Sequence, residues 1–499
     1  MAYRLRAAMA GLALGMLVAC SPDPVEQPAE LDARADAQTD TLAESVSPIT
    51  LTLTDGGDGP WTLDIAIDGP DMDGSEIDWS GSSPVFFSRS NGDYRVARYA
   101  AQDDGVKLAR IGGFDTLIFD ENVRAARFAV TPFSGNIRAD YTPFIPFSDG
   151  GVALFTGQFE LLPATDTAAI EGLGGRLSNW SGEQRPIPLT LRSDRSMLVD
   201  GRRQSGETTV MVDGGGEYIY FGTADLVEGE YFVGVIDPGL PAWIREDFDD
   251  TLGTIFTALE ERFGYGLPDR ATILFAYRGD DMQGLSNKGG ALPGNVLALE
   301  TAGTALRQPS DAVTGYFQFF FAHEAAHLFQ QASGKSLGNQ DAAWIHEGHA
   351  SAVAYRLLVE QGLQTREAYE VRLAEAFNRC AAELNGRALS ETLYTGYIGA
   401  YDCGEIIAVA SDAALPDHDL YDLWANMVSI GDDPNRYDAE DYFAALQALG
   451  ASEPIVGALR VLTTETLPDA DAALRGLLSA VDLDFVVSDG RVSRIAMAE

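Results

Sequence analysis

Phe321-Ala322-His323-Glu324-Ala325-Ala326-His327-Leu328-Phe329, followed closely by Asp341-Ala342-Ala343-Trp344-Ile345-His346-Glu347-Gly348-His349-Ala350, is the part of this chain from which the rest can be read. The first stretch fits H-E-x-x-H. Residues four apart project from one face of a helix, so the imidazoles of His323 and His327 can reach one metal ion. Glu324, the next residue, can reach a water molecule on that ion and act as its base. Phe317, Phe319, Phe320, Phe321, Leu328 and Phe329 surround the motif and imply a buried helix, in which histidines and a glutamate need a strong partner. The chain has only five histidines, His323, His327, His346, His349 and His418, and four lie in one 27-residue window. Histidines placed for packing would not cluster in that way.

A catalytic zinc takes three protein ligands and keeps a further position for water. The second stretch offers His346, Glu347 and His349. It resembles the aminopeptidase N-like gluzincins, which include leukotriene hydrolase and the glycyl aminopeptidases. Their H-E-x-x-H is followed by W-x-x-E-G, matched here by Trp344, Glu347 and Gly348. The resemblance implies one zinc per chain held by His323, His327 and Glu347, with Glu324 as general base. The 19 residues between His327 and Glu347 are one more than is usual in that family, which leaves His346 as the alternative third ligand. Neither His346 nor His349 shares a helix face with Glu347, and packing around the site is their plainer role.

The resemblance reaches further with weaker motifs. Tyr401-Asp402-Cys403-Gly404 resembles the family's Y-x-K-G element, whose tyrosine hydroxyl stabilises the oxyanion formed at the substrate carbonyl. Tyr401 is therefore expected to be catalytic, with Tyr394 and Tyr397 as neighbours able to take that role. Gly289-Gly290-Ala291-Leu292-Pro293-Gly294-Asn295 stands where the family has its G-x-M-E-N substrate segment, on an edge strand before the motif helix. Gly289, Gly290 and Ala291 are then the substrate-binding residues. The glutamate that holds a substrate's free amine in that family has no counterpart at Leu292-Pro293, although Glu300 or an acid of the N-terminal region could replace it.

Outward from the site, the chain divides by its periodicities. Ile49 to Thr54 alternates strictly, Val152 to Phe155 does so more briefly, and turn clusters such as Asp55-Gly56-Gly57 and Ser148-Asp149-Gly150-Gly151 punctuate the region. This predicts an antiparallel β-sandwich over residues 48–237. Asp68 to Asp78 is acid-rich but lacks EF-hand spacing, and reads as a solvated turn. After Asp237 the pattern becomes helical. Leu252, Ile255, Phe256, Leu259 and Phe263 share one face, and helices are predicted over 316–331, 344–360, 367–384 and 442–449. Ala271 to Tyr277 and Val296 to Leu299 read as strands joined by a Gly-rich link. The expected architecture is α+β and multidomain: the sandwich, then a mainly α-helical, thermolysin-like catalytic domain with a small sheet over 238–485, then a tail over 486–499.

The first residues read as processing signals. Arg4 and Arg6 precede a short apolar run from Ala7 to Ala19, and Leu17-Val18-Ala19-Cys20 resembles a bacterial lipobox with Cys20 as the lipidated residue. Residues 1–20 are then a signal peptide, and the Pro-, Ala- and acid-rich residues 21–47 a disordered tether. Ser21 follows Cys20 where inner-membrane lipoproteins tend to carry Asp, and by that resemblance the expected location is the outer membrane, facing the periplasm. Two further cysteines, Cys380 and Cys403, would lie in an oxidising compartment, where a disulfide between them and two separate thiols are both open.

A net charge of −41 argues against nucleic acid as a partner. The expected partners are a peptide or protein substrate and, through Cys20, a membrane. The rival reading is a non-catalytic binding lipoprotein on the same fold. Its mark would be loss of Glu324 or of a ligand, and none is lost.

Overall fold

The computed structural model of the chain describes residues 47–67, 84–135, 137, 140–213, 215–246, 248–292, 294–393 and 398–496. The lipobox, most of the tether, the Asp68–Asp78 stretch, Pro293, Tyr394 and Tyr397 lie outside them. The fold is mixed α/β, rich in sheet towards the N-terminus and helical towards the C-terminus.

Alternation does in the N-terminal region what the sequence predicts. Ile49, Leu51 and Leu53 of strand Ile49–Thr54 point inward, as do Trp61, Leu63, Ile65 and Ile67 of strand Trp61–Ile67. They belong to a nine-stranded sheet, and a four-stranded sheet with strands Pro84–Phe87 and Phe114–Phe119 packs against it across one apolar core. The larger sheet departs from the antiparallel expectation at one pair. Ile49–Thr54 runs parallel to Ile187–Val199, with Leu51 opposite Leu189.

A five-stranded sheet lies between this region and the helices. Its order is Val227–Glu228, Phe232–Ile236, Ala271–Tyr277, Val296–Ala302 and, at the edge, Ser286–Leu292. The three inner strands are parallel and the edge strand runs antiparallel to its neighbour. Strands between parallel layers must be covered on both faces, and they are. Leu274, Val296 and Ala298 pack on Phe147, Phe155 and Tyr218 of the N-terminal region, whereas Ile273, Leu297 and Leu299 pack on the helices. Two expected boundaries change in consequence. Residues 227–236, assigned to the first region by the division at 237, pair in this middle sheet. The Gly-rich link is itself the edge strand.

Helix Asp311–Ala332 is longer than predicted at its N-terminus, where Ser310 caps it by accepting from the Val313 amide. Its neighbours Ala343–Glu360 and Arg366–Leu384 fall within a residue of their predicted limits. The supposed tail is folded: strands Phe485–Ser488 and Arg491–Ile495 form a hairpin with Val492 and Ile495 buried. Arg494 pairs with the buried Glu370, and Asn378 donates to the Val492 carbonyl, which fixes this hairpin on helix Arg366–Leu384.

Candidate metal centre

Helix Asp311–Ala332 is buried nearly all round its C-terminal half, with Phe317 and Phe321 against Phe275 of the middle sheet. On its other side it packs against helix Ala343–Glu360, so His323 and His327 face Glu347. His323 Nε2 lies 3.3 Å from Glu347 Oε2, His327 Nε2 lies 3.2 Å from the same oxygen, and the two nitrogens are 3.1 Å apart. Ligand atoms about 2.0–2.1 Å from a tetrahedral zinc stand roughly 3.3 Å from one another, so this triangle has the size that the ion requires. Among the described residues these three form the one group of His, Cys, Asp and Glu side chains able to hold a metal ion.

The neighbouring hydrogen bonds settle which nitrogen of His327 faces the triangle. The Leu420 carbonyl can only accept, so His349 Nε2 donates to it at 3.0 Å. His349 Nδ1 is then an acceptor and receives Gln330 Nε2 at 3.2 Å. The same amide nitrogen donates to the His346 carbonyl, also at 3.2 Å. Gln330 Oε1 is left to accept from His327 Nδ1 at 2.7 Å, so Nε2 is the nitrogen that faces Glu347 and the one that offers a lone pair once its proton is lost. Ser351 Oγ stands 3.3 Å from His323 Nδ1 and can do the same for that ring. Gln330 and Ser351 escaped the sequence reading. A signal was there: Gln330 follows His327 by three positions and Ser351 follows Glu347 by four, which puts each on the face of its ligand.

His346 does not join the triangle. Its ring stacks on His327 at 4.2 Å and its Nδ1 meets Tyr437 Oη at 2.9 Å. Burial pushes His346 down to about 3 and His349 down to about 4, so both are neutral at pH 7. Burial acts the same way on His327, but Glu347 and Glu324 overcome it and carry that imidazole up to about 9. For Glu347, too, the histidines outweigh burial and hold its carboxyl well below the usual carboxylate range. Without an ion, His327 and Glu347 therefore stand as an imidazolium–carboxylate pair at neutral pH, and a metal ion binding there has to displace the His327 proton.

Glu324 is buried, which raises its carboxyl above the ordinary value. Its Oε2 accepts the Ala291 amide at 2.8 Å, and this ties the motif helix to the edge strand Ser286–Leu292. In an antiparallel ladder alternate residues turn their backbone groups outward. Gly289 therefore presents its amide and carbonyl on the same outer edge as Ala291. A side chain on Gly289 would overlap the Ala298 carbonyl of the neighbouring strand. Leu292, where the resembling family has its amine-binding acid, is buried in the apolar layer. Glu300 is engaged by Arg278 at 2.7 Å.

Tyr401 comes from a single π-helical turn, Gly399–Cys403, and its ring lies along that of His323 with centroids 5.7 Å apart. Such turns insert one extra residue and redirect the side chains they carry. This one is held from both sides of Tyr401. Asp402 receives two hydrogen bonds from Arg379 at 2.7 and 2.8 Å, and Cys403 is disulfide-bonded to Cys380.

No family model and no curated protein matches the sequence. Solved structures do. An aminopeptidase N family protein from Idiomarina loihiensis superposes with a TM-score of 0.61 at 14% identity, over 89% of this chain and 80% of that one. Native yeast LTA4 hydrolase gives 0.48 at 11% identity over 88% and 72% of the two chains. An M1 zinc metallopeptidase from Deinococcus radiodurans gives 0.44 at 16% over 85% and 95%. The first of these shows the fold, which agrees with the resemblance read from the motifs.

Proposed function

We propose that this chain is a zinc-dependent peptidase of the gluzincin type, carried as a lipoprotein of the cell envelope. The observation that carries the reading is the triangle of His323 Nε2, His327 Nε2 and Glu347 Oε2 with the buried Glu324 beside it. Two imidazoles and a carboxylate are the donors of a catalytic zinc with an open position. Zinc held by these three residues would supply Lewis acidity and make water acidic enough to serve as a nucleophile near neutral pH.

The chain's own residues do the rest. Glu324, held by the Ala291 amide, takes a proton from the attacking water and delivers it to the leaving nitrogen. Tyr401 donates to the oxygen of the carbonyl under attack, from its place along His323. The outer edge at Gly289 pairs with an extended substrate backbone, which is recognition by strand addition. With Leu292 buried and Glu300 engaged by Arg278, no carboxylate of that strand pair is placed to hold a free amine, so the substrate need not begin at the site. Fold likeness to an aminopeptidase N family protein supports the class, and the motifs support the roles.

The deciding experiment is turnover of a mixed peptide library by the zinc-loaded protein and by its Glu324→Gln variant. Loss of a base of this kind costs about 10²–10⁴-fold. Cleavage by the wild type that a chelator stops, and that the variant lacks while still binding zinc, is the expected result. Equal activity of the two proteins would remove Glu324 from the mechanism.

A further inference from the structure

The strand that ties down Glu324 also carries a charge that the reading above does not use. Lys288 stands two residues before Gly290 on Ser286–Leu292, so the two share a face about 6.8 Å apart. Gly290 opens onto the site. A Cβ there would meet nothing within 4 Å except Glu324 Oε2, at 3.7 Å. Half-buried, Lys288 leans towards the N-terminal region, where Nζ donates to Thr142 Oγ1 at 2.9 Å. An ammonium has three protons to donate, and no ion pair of Lys288 occurs among the described residues.

Two acids that act on it among the described residues are already engaged. Glu300, directly opposite Lys288 in the ladder, pairs with Arg278 at 2.7 Å, and Asp140 pairs with Arg89 at 2.7 Å. Among the described residues, Arg278 and Arg89 thus hold these two carboxylates, and the Lys288 ammonium donates to a neutral hydroxyl. The chain as a whole carries −41 and has only three lysines, Lys107, Lys288 and Lys335. A half-buried ammonium on the face that Gly290 opens to the site, with Glu300 and Asp140 paired to arginines, repels a second ammonium and attracts an anion.

We propose that Lys288 receives a carboxylate of the substrate, the side chain of an aspartate or glutamate next to the bond that is cut. The inference rests on the peptidase reading and names its substrate class: acidic peptides bound without a free amino terminus at the site. Thr142 acts as the positioning residue, holding the Lys288 side chain along that face. A purely structural lysine, tying the edge strand to Thr142, would not distinguish a carboxylate from an amide.

That distinction is the test. Peptide pairs differing by one Glu-for-Gln exchange, scanned through the positions flanking the cut, are compared by kcat/KM on the zinc-loaded protein. A hydrogen bond between charged groups predicts a preference for the acid of about 10–100-fold at one position. Lys288→Met should bring the ratio near one, chiefly through KM, and Lys288→Arg should keep it. Calorimetric binding of the same pair to Glu324→Gln, with and without Lys288→Met, reads the preference without turnover. A wild-type ratio near one at every position, or a ratio that survives Lys288→Met, overturns the proposal. Preference in binding with no cleavage of any peptide would keep the carboxylate site and defeat the peptidase reading instead.

Discussion

Gly348 and Gly404 meet backbone to backbone where helix Ala343–Glu360 crosses helix Gly404–Ala413. A Cβ on Gly348 would overlap the Cα, carbonyl carbon and oxygen of Gly404, and one on Gly404 would lie 2.9 Å from the Gly348 Cα. Each glycine sits beside a site element: Gly348 follows Glu347, and Gly404 directly follows the turn that carries Tyr401. The crossing therefore sets how far Tyr401 stands from the ligand triangle.

Gly348→Ala should push the two helices apart, because the obstructing atoms are backbone and cannot swing aside. Overpacking of this kind costs typically 1–3 kcal/mol. A lower melting temperature together with weaker zinc binding is expected, since Glu347 moves with the helix. Melting and zinc affinity equal to those of the wild type would show that the crossing has slack.

The ligand set can be read by elemental analysis. About one zinc per chain is expected, lost in His327→Ala and in Glu347→Ala, and retained in His346→Ala because that ring bonds Tyr437 and stacks on His327. Zinc kept by Glu347→Ala and lost by His346→Ala would exchange the two residues' roles.

Gln330→Leu removes the acceptor of His327 Nδ1–H and leaves His349 Nδ1 without its donor. Loss of an outer hydrogen bond to a ligand histidine typically weakens metal binding 10–100-fold. Competition against a chelator of known affinity measures the change, and an unaltered affinity would mean that the ring is held by packing alone.

Free and N-acetylated forms of one peptide series should be cut at comparable rates. An ammonium buried at the site without a counter-charge would cost several kcal/mol, and neither the buried Leu292 nor the Arg278-paired Glu300 is placed to supply one. If acetylation blocks cleavage and free peptides shorten one residue at a time, an acid elsewhere holds the amine.

Cys20→Ser should release the protein from the membrane fraction, because among the described residues no helix is long and apolar enough to cross a bilayer. Persistent membrane association of this variant would assign the anchor to another segment.

What the sequence determined by itself was local. Two histidines four apart on an apolar helix must share a face, and a strand with alternating Ile49, Leu51 and Leu53 must bury one side. The motif helix, its base, the ligand candidates and the sheet-then-helix order follow from such rules. Tertiary structure decided whatever depends on segments far apart in the chain. Which of Glu347 and His346 joins the triangle needed the facing angle of two helices, and the orientation of the Gln330 amide on His327 needed the Leu420 carbonyl, which lies 93 residues beyond His327 in sequence. The strands at 227–236 read as more of the N-terminal sheet, because alternation reports a buried face and not the partner that buries it. Residues 485–495 read as a tail for a related reason: a short hairpin is stable only against a neighbour, here helix Arg366–Leu384, and no local pattern names that neighbour.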